Sequence, residues 1–196
     1  MEAPVPASSL IHSATLVSAG IYLLARFFDL LVLVGALKFC LSIGALTALY
    51  GGVVAASQTD MKKLLAYSTM SHCGFLYVCI GCGNLAILII YLFLHGLFKA
   101  GTFYCVGSFI RYFGTQDSRL MGVGARLLPL DTLLLIIFSF NLAGLPFTIG
   151  YLYKAFFFNY FIFIPYSKVF LGFLFLALLL GVVYTFRLVY YSSFDF

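Results

Sequence analysis

Leu85-Ala-Ile-Leu-Ile-Ile-Tyr91-Leu-Phe-Leu-His95-Gly-Leu-Phe-Lys99-Ala-Gly-Thr-Phe-Tyr-Cys105-Val-Gly-Ser-Phe-Ile110 runs for 26 residues without an acid. Its length exceeds the roughly 20 apolar residues needed to cross a bilayer. It does not alternate apolar and polar residues, as a membrane strand would. It therefore predicts a transmembrane helix. Two basic residues sit inside it, His95 and Lys99, spaced i, i+4 and so one turn apart on one face. Lys99 is too far from either end of the run for its stem to reach the interface.

The rest of the chain follows suit. Of 196 residues, 64% are hydrophobic and 9% charged, with mean hydropathy +1.12. A soluble domain carries about a quarter charged residues, so the bilayer is the solvent that suits this chain. Five further runs qualify, at 8–27, 29–56, 63–82, 129–158 and 167–190, giving an all-α membrane protein of about six spans. The net charge of +5 does not point to nucleic acid, because the basic residues lie in short loops or singly inside helices. Lys62, Lys63, Arg111, Arg119, Arg126 and Arg187 fall towards one side, and only Arg26 and Lys168 towards the other. The positive-inside rule puts the richer side, and with it both termini, on the matrix or bacterial-cytoplasmic face. The first run lacks the basic start and cleavage site of a signal peptide. Cys79 and Cys82 form C-x-x-C without a second pair to complete four metal ligands, so they read as packing residues. Abundant phenylalanine, 23 residues, with no tryptophan fits an AT-rich organellar genome.

The fifth run holds Asn141-Leu-Ala-Gly144-Leu-Pro146. Proline removes a backbone donor and clashes with the preceding turn, so a break is expected at Gly144 and Pro146. A broken helix at membrane depth lines a cavity or a hydrated path. Ionisable residues at that depth mark functional sites by default. The candidates are His12, Lys38, His95, Lys99 and Lys154, and no acid lies mid-span to neutralise them. Two cations on one face repel, so proton loading at His95 and Lys99 responds to modest changes of nearby charge, which a relay requires. Snorkelling is the competing reading for Lys154, a hydrogen-bonded structural role for His12, and for Lys38 no partner is evident.

At these residues a resemblance emerges. Ala3-Pro-Val-Pro-Ala-Ser-Ser-Leu-Ile-His12-Ser-Ala-Thr, Gln58-Thr-Asp-Met-Lys62-Lys-Leu-Leu-Ala-Tyr-Ser-Thr-Met-Ser-His72, His95-Gly-Leu-Phe-Lys99, Leu145-Pro-Phe-Thr-Ile-Gly-Tyr-Leu-Tyr-Lys154 and Val183-Tyr-Thr-Phe-Arg187 resemble, in order, the motifs of the antiporter-like subunits of NADH:ubiquinone oxidoreductase, chain 5 in particular. Multisubunit cation/proton antiporters share these motifs. The resemblance implies a proton-translocating subunit of the mitochondrial inner membrane, built from two inverted five-helix repeats. It implies no redox site and no bound cofactor in this chain, the flavin, iron–sulfur clusters and ubiquinone belonging elsewhere in the complex. Residues 1–27 match the last helix of the first repeat and 28–196 the second repeat. By the same resemblance His12 links the two half-channels, Lys99 is the central lysine, His95 its neighbour and Lys154 the outlet lysine. Lys62 matches the lysine after the Thr-Asp pair.

The chain departs from the family pattern at three places. Tyr91 stands where a second histidine is common, Ala155 where an acid follows the terminal lysine, and Lys38 where the residue is uncharged. Tyr91, Lys38 and Lys62 are thus further relay candidates. The expected partners are lipids, the other membrane-arm subunits and a separate chain carrying the first seven helices, docked on span one through Ser9, Ser13 and Gly20. Two other readings stay open: a component of a cation/proton antiporter, and a structural subunit that does not conduct.

Overall fold

The computed structural model describes residues 4–162 and 168–194; the side chains of His12, Ala14 and Lys168 lie outside that description. The described residues are helical apart from short connections. Val5–Ala7 (α1), a π-helical stretch Ser8–Thr15 and Leu16–Arg26 (α2) form the first span. There follow Phe28–Val34 (α3), Leu37–Ser57 (α4), Met61–Gly81 (α5), Leu85–Phe113 (α6), Gly124–Leu127 (α7), Pro129–Ala143 (α8), Ile149–Ile162 (α9) and Lys168–Ser193 (α10). Among the described residues five helices are long and apolar enough to cross a membrane: Val5–Arg26, Leu37–Ser57, Met61–Gly81, Leu85–Phe113 and Val169–Ser193. The fifth run, 129–158, divides into α8 and α9, as Gly144 and Pro146 predict.

Two details differ from the sequence expectation. The run 29–56 is not one helix. Gly35, in the left-handed region at φ 73°, ends α3, and the amide of Ala36 returns to Leu31 O at 3.0 Å, a helix stop that glycine permits because it has no Cβ. Lys38 therefore falls on the second residue of α4, exposed, at a helix end rather than mid-span. The π-helical widening around His12 has no sequence signature. Within it the Ser13 hydroxyl donates to Ser9 O, and Ser13 is buried by this chain's own helices rather than offered outward. Gly20 does stand open.

Local chemistry explains the remaining ends. Asn84 caps α6 by accepting from Ile87 N at 3.1 Å. Pro129 opens α8, where its missing amide is not needed. The loops at 58–60 and 114–118 join across the same end of the bundle: Met61 N donates to Gln116 O and Ser118 N to Thr59 O, both at 3.1 Å. The loops predicted to share one membrane face are thus physically tied. Lys63 pairs there with Asp60 at 2.8 Å and holds that carboxyl below its usual range.

The central helix is α5, buried along most of its length. Its closest neighbour is α4, and the reason is small residues. A Cβ on Gly74 would stand 2.4 Å from Ala48 N, and one on Gly51 would stand 2.6 Å from Ser71 N. The gap closes so far that the Ser71 hydroxyl donates to Ala48 O across it at 2.8 Å. In a bilayer lipid tails are as apolar as leucine, so such close backbone packing and interhelical hydrogen bonds drive association. Outward-facing apolar residues such as Leu33, Leu46, Phe93 and Leu179 are exposed as lipid contact requires.

Gly74→Val should force α4 and α5 apart at a cost of about 1–3 kcal/mol and reduce the assembled fraction on a native gel. Gly96→Val, at a glycine with nothing within 4 Å, should leave assembly near normal. Equal yields from the two variants would contradict this packing.

Candidate functional site

The broken helix builds the first half of the site. α8 ends at Ala143, and Gly144 turns left-handed at φ 75°. Leu145-Pro146-Phe147-Thr148 then form a tight turn closed by Thr148 N to Leu145 O at 3.2 Å. Phe147 has φ 69°, the sign expected after proline in a type II turn but unusual for a bulky side chain. The interruption leaves the last carbonyls of α8 without their usual donors. Lys154, on α9, supplies them: its Nζ donates to Leu142 O at 2.5 Å and to Ala143 O at 2.9 Å. The C-terminal end of a helix carries partial negative charge, so this is a seat for an ammonium. Asn141 closes the junction, accepting from Gly150 N at 3.4 Å. Lys154 is buried, so snorkelling is excluded as its role in this arrangement.

The second half lies between α5, α6 and α10. Lys99 is 1% exposed. Its Nζ donates to the Ser68 hydroxyl and, at 3.4 Å, to Leu65 O. His95, one turn away, is buried with no protein hydrogen-bond partner at Nε2. The His95 ring lies 5.0 Å from that of His72. His72 Nδ1 is 2.9 Å from the Tyr91 hydroxyl, and Nε2 is 3.4 Å from the Tyr184 hydroxyl. The Tyr91 ring packs on Tyr153 at 4.6 Å, beside Lys154 in sequence, and the buried Tyr153 hydroxyl also lacks a protein partner.

Of the residues singled out in the sequence, His95, Lys99, Tyr91 and Lys154 are all buried inside the bundle. Lys62 is buried at the start of α5, near the tied loops, and Lys38 is at the start of α4. The side chain of His12 falls outside the described residues; its backbone is in the π-helical stretch. Lys63 forms an ion pair with Asp60. Lys99 and Lys154 are held by hydroxyl and carbonyl oxygens, and among the described residues neither forms an ion pair with a carboxylate. Among the described residues no group of three or more His, Cys, Asp or Glu side chains gathers, and Cys79 packs in the apolar core.

His72, Ser68 and Tyr184 were not singled out by the sequence reading. His72 carried a signal, being a histidine well inside an apolar run. Ser68 and Tyr184 carried none, because only the packing of α10 on α5 brings them together.

A multi-pass bundle with a broken helix, and buried lysines beside a cluster of histidine and tyrosine, defines the class of membrane protein to which the fold belongs. The family model described as NADH:quinone oxidoreductase/Mrp antiporter, TM, matches residues 1–185, and the chain belongs to that family. It is 47% identical to NADH-ubiquinone oxidoreductase chain 5 of Paramecium tetraurelia, over 100% of this chain and 35% of that protein. It is 37% identical to chain 5 of Apis mellifera ligustica, over 96% of this chain and 34% of that protein. The chain thus spans about a third of the length of the curated relatives it matches. A solved structure of an Mrp complex from Dietzia sp. DQ12-45-1b superposes with TM-score 0.89 at 31% identity, over 98% of this chain and 22% of that one. A membrane-bound sulfane sulfur reductase shares the fold at TM-score 0.87 and 22% identity.

Gly144 is required twice over, since a Cβ there would be strained and would also meet Lys154 Cδ at 2.7 Å. Gly144→Ala should destabilise the assembled protein by about 1–2 kcal/mol from backbone strain alone. Lys154→Ala in the same chain should recover part of the loss by removing the colliding stem. Thermal melts of the two single variants and the double variant test this, and strictly additive losses would contradict the contact.

Proposed function

We propose that this chain is a proton-translocating segment of the membrane arm of NADH:ubiquinone oxidoreductase. The observation that carries the reading is the pair of buried lysines, Lys99 and Lys154, each seated on neutral oxygens rather than on a carboxylate. A lysine in a buried ion pair is locked in its charged state. These two are not, and each can give up one proton while the neutral amine keeps two N–H donors for the same oxygens. Charge arriving near one then drives the proton off the other, through His95 and the surrounding hydroxyls. The freed carbonyls at the α8 end form the outlet side of the path.

The chain contributes to an oxidoreductase without carrying a redox site of its own. Flavin, iron–sulfur clusters and quinone belong to other subunits, and no cofactor is assigned here. The relatives named chain 5 support the mitochondrial inner membrane as its place. The basic loops around Lys62, Lys63, Arg111 and Arg119 support a matrix position for that end, and for both termini. Its partners are lipids and other membrane-arm subunits. The helices of the first repeat would dock on Val5–Arg26, whose outer side presents Leu16, Tyr22 and Leu23, and we propose that a separate polypeptide supplies them. Crosslinking mass spectrometry of the native complex distinguishes a second polypeptide at that helix from a single longer one containing this segment.

The functional test is Lys99→Ala. The variant should assemble, because Ser68 keeps its bond to Leu65 O at 3.0 Å, yet lose most proton translocation per electron pair in reconstituted vesicles. An unchanged proton-to-electron ratio in assembled complex would overturn the reading.

A further inference from the structure

His72 is 2% exposed, lies on the central helix and is engaged at both ring nitrogens. The role proposed for Lys99 and Lys154 does not use it. A purely structural histidine needs one donor and one acceptor, and backbone carbonyls are the usual partners in a helical bundle. Here both partners are tyrosine hydroxyls from two other helices, Tyr91 on α6 and Tyr184 on α10. A hydroxyl both donates and accepts. A neutral imidazole can take a proton on one nitrogen while releasing one from the other. Tyr184 also interacts with the side chain of Ser68, and Ser68 receives the Lys99 ammonium. Lys99–Ser68, Tyr184–His72 and His72–Tyr91 are hydrogen-bonded, and Ser68 and Tyr184 interact across the remaining step, so the five groups follow one another across three helices.

We infer that His72 is a proton-relay residue and the centre of a side-chain wire running from Lys99 through Ser68 and Tyr184 to Tyr91. This rests on the proton-translocating reading above and names its route. The transfers balance. Lys99 loses an N–H proton to Ser68 Oγ and becomes a neutral amine. The Ser68 hydroxyl, turning from Leu65 O, passes its own proton to Tyr184. Tyr184 passes its proton to His72 Nε2, and His72 releases the proton on Nδ1 to Tyr91. Tyr91 passes its proton to water on the α9 side, where the unpartnered hydroxyl of Tyr153 stands. Each oxygen ends with the protons it began with, the imidazole ends as the other tautomer, and one proton has crossed.

The route also gives a role to Tyr91. Tyrosine is not a base at neutral pH, and alone at that position it would weaken a relay built on titrating side chains. Placed 2.9 Å from His72 Nδ1, it needs only to hand a proton on. The base required on this side of the bundle is supplied from the neighbouring helix.

The test uses the assembled complex in vesicles, with proton translocation per electron pair as the readout. His72→Gln retains hydrogen bonding but cannot exchange protons through a ring. Tyr184→Phe and Tyr91→Phe keep the rings and remove only the hydroxyls. Each should lower translocation about a hundredfold or more, the lower end of the range for a positioned proton-transfer group. His72→Gln combined with Tyr184→Phe should be no worse than either alone, since both cut one wire. Full translocation in the two hydroxyl variants, with Lys99→Ala defective, would overturn the His72 wire and leave the proton-translocating reading standing. Full translocation in Lys99→Ala would overturn that reading itself. Should His72→Gln fail to assemble, the two Phe variants decide the matter alone.

Discussion

Within a bilayer every backbone group must find its partner inside the protein, and the bond from Lys154 to Leu142 O and Ala143 O meets that demand at the one place where a spanning helix stops. Without it, the end of α8 would present unpaired carbonyls to an apolar interior, at a cost of about 1–3 kcal/mol for each. Without the break, Lys154 would have no polar seat. The same contact thus makes the interruption tolerable and places a proton-bearing group at depth. Gly144 and Gly150 are its supports: a side chain on the first would strike the Lys154 stem, and one on the second would strike Asn141 O. Lys99 solves the matching problem on an unbroken helix by borrowing Ser68 from α5, which is why the close approach of neighbouring helices matters to chemistry as well as to stability.

Much of this was legible in the sequence. Run lengths gave the spans, because a bilayer sets a length that soluble folds do not. Gly144 and Pro146 announced the break, because both act on the backbone locally. The i, i+4 spacing of His95 and Lys99 placed them on one face without knowledge of any neighbour. What escaped was of two kinds. Gly35 is a single residue in an apolar run, and nothing local distinguishes a glycine that ends a helix from one that packs, so Lys38 was placed mid-span rather than at the start of α4. The Ser68, His72 and Tyr184 cluster depends on which face α10 turns towards α5. No periodicity signals that choice when helices are apolar all round. Ser13 was expected to face a partner and is instead buried, because a π-helical stretch advances each residue by a smaller angle than the regular helix from which faces are counted.

The family places this segment among both electron-transfer complexes and Mrp antiporters. That breadth fits a site whose parts are lysines, histidine and hydroxyls, none specific to an electron donor. On the proposed reading, the segment would supply the proton-bearing groups and the driving force would come from outside it. Tyr91 shows how such a site tolerates change. If a proton path runs there, the imidazole of His72, 2.9 Å from the Tyr91 hydroxyl, would supply from a neighbouring helix the base that Tyr91 is not.

The bridge between the loops at 58–60 and 114–118 has a mechanical consequence. It fastens the beginning of α5 to the end of α6 at one membrane face. These two helices carry Ser68, His72, Tyr91, His95 and Lys99. Any separation that lets solvent reach those side chains must swing about the fastened end, as a pair of tongs swings about its rivet. The gap then widens towards the far face, where Gly83 and Asn84 join the helices by a short turn, only as far as that turn will flex.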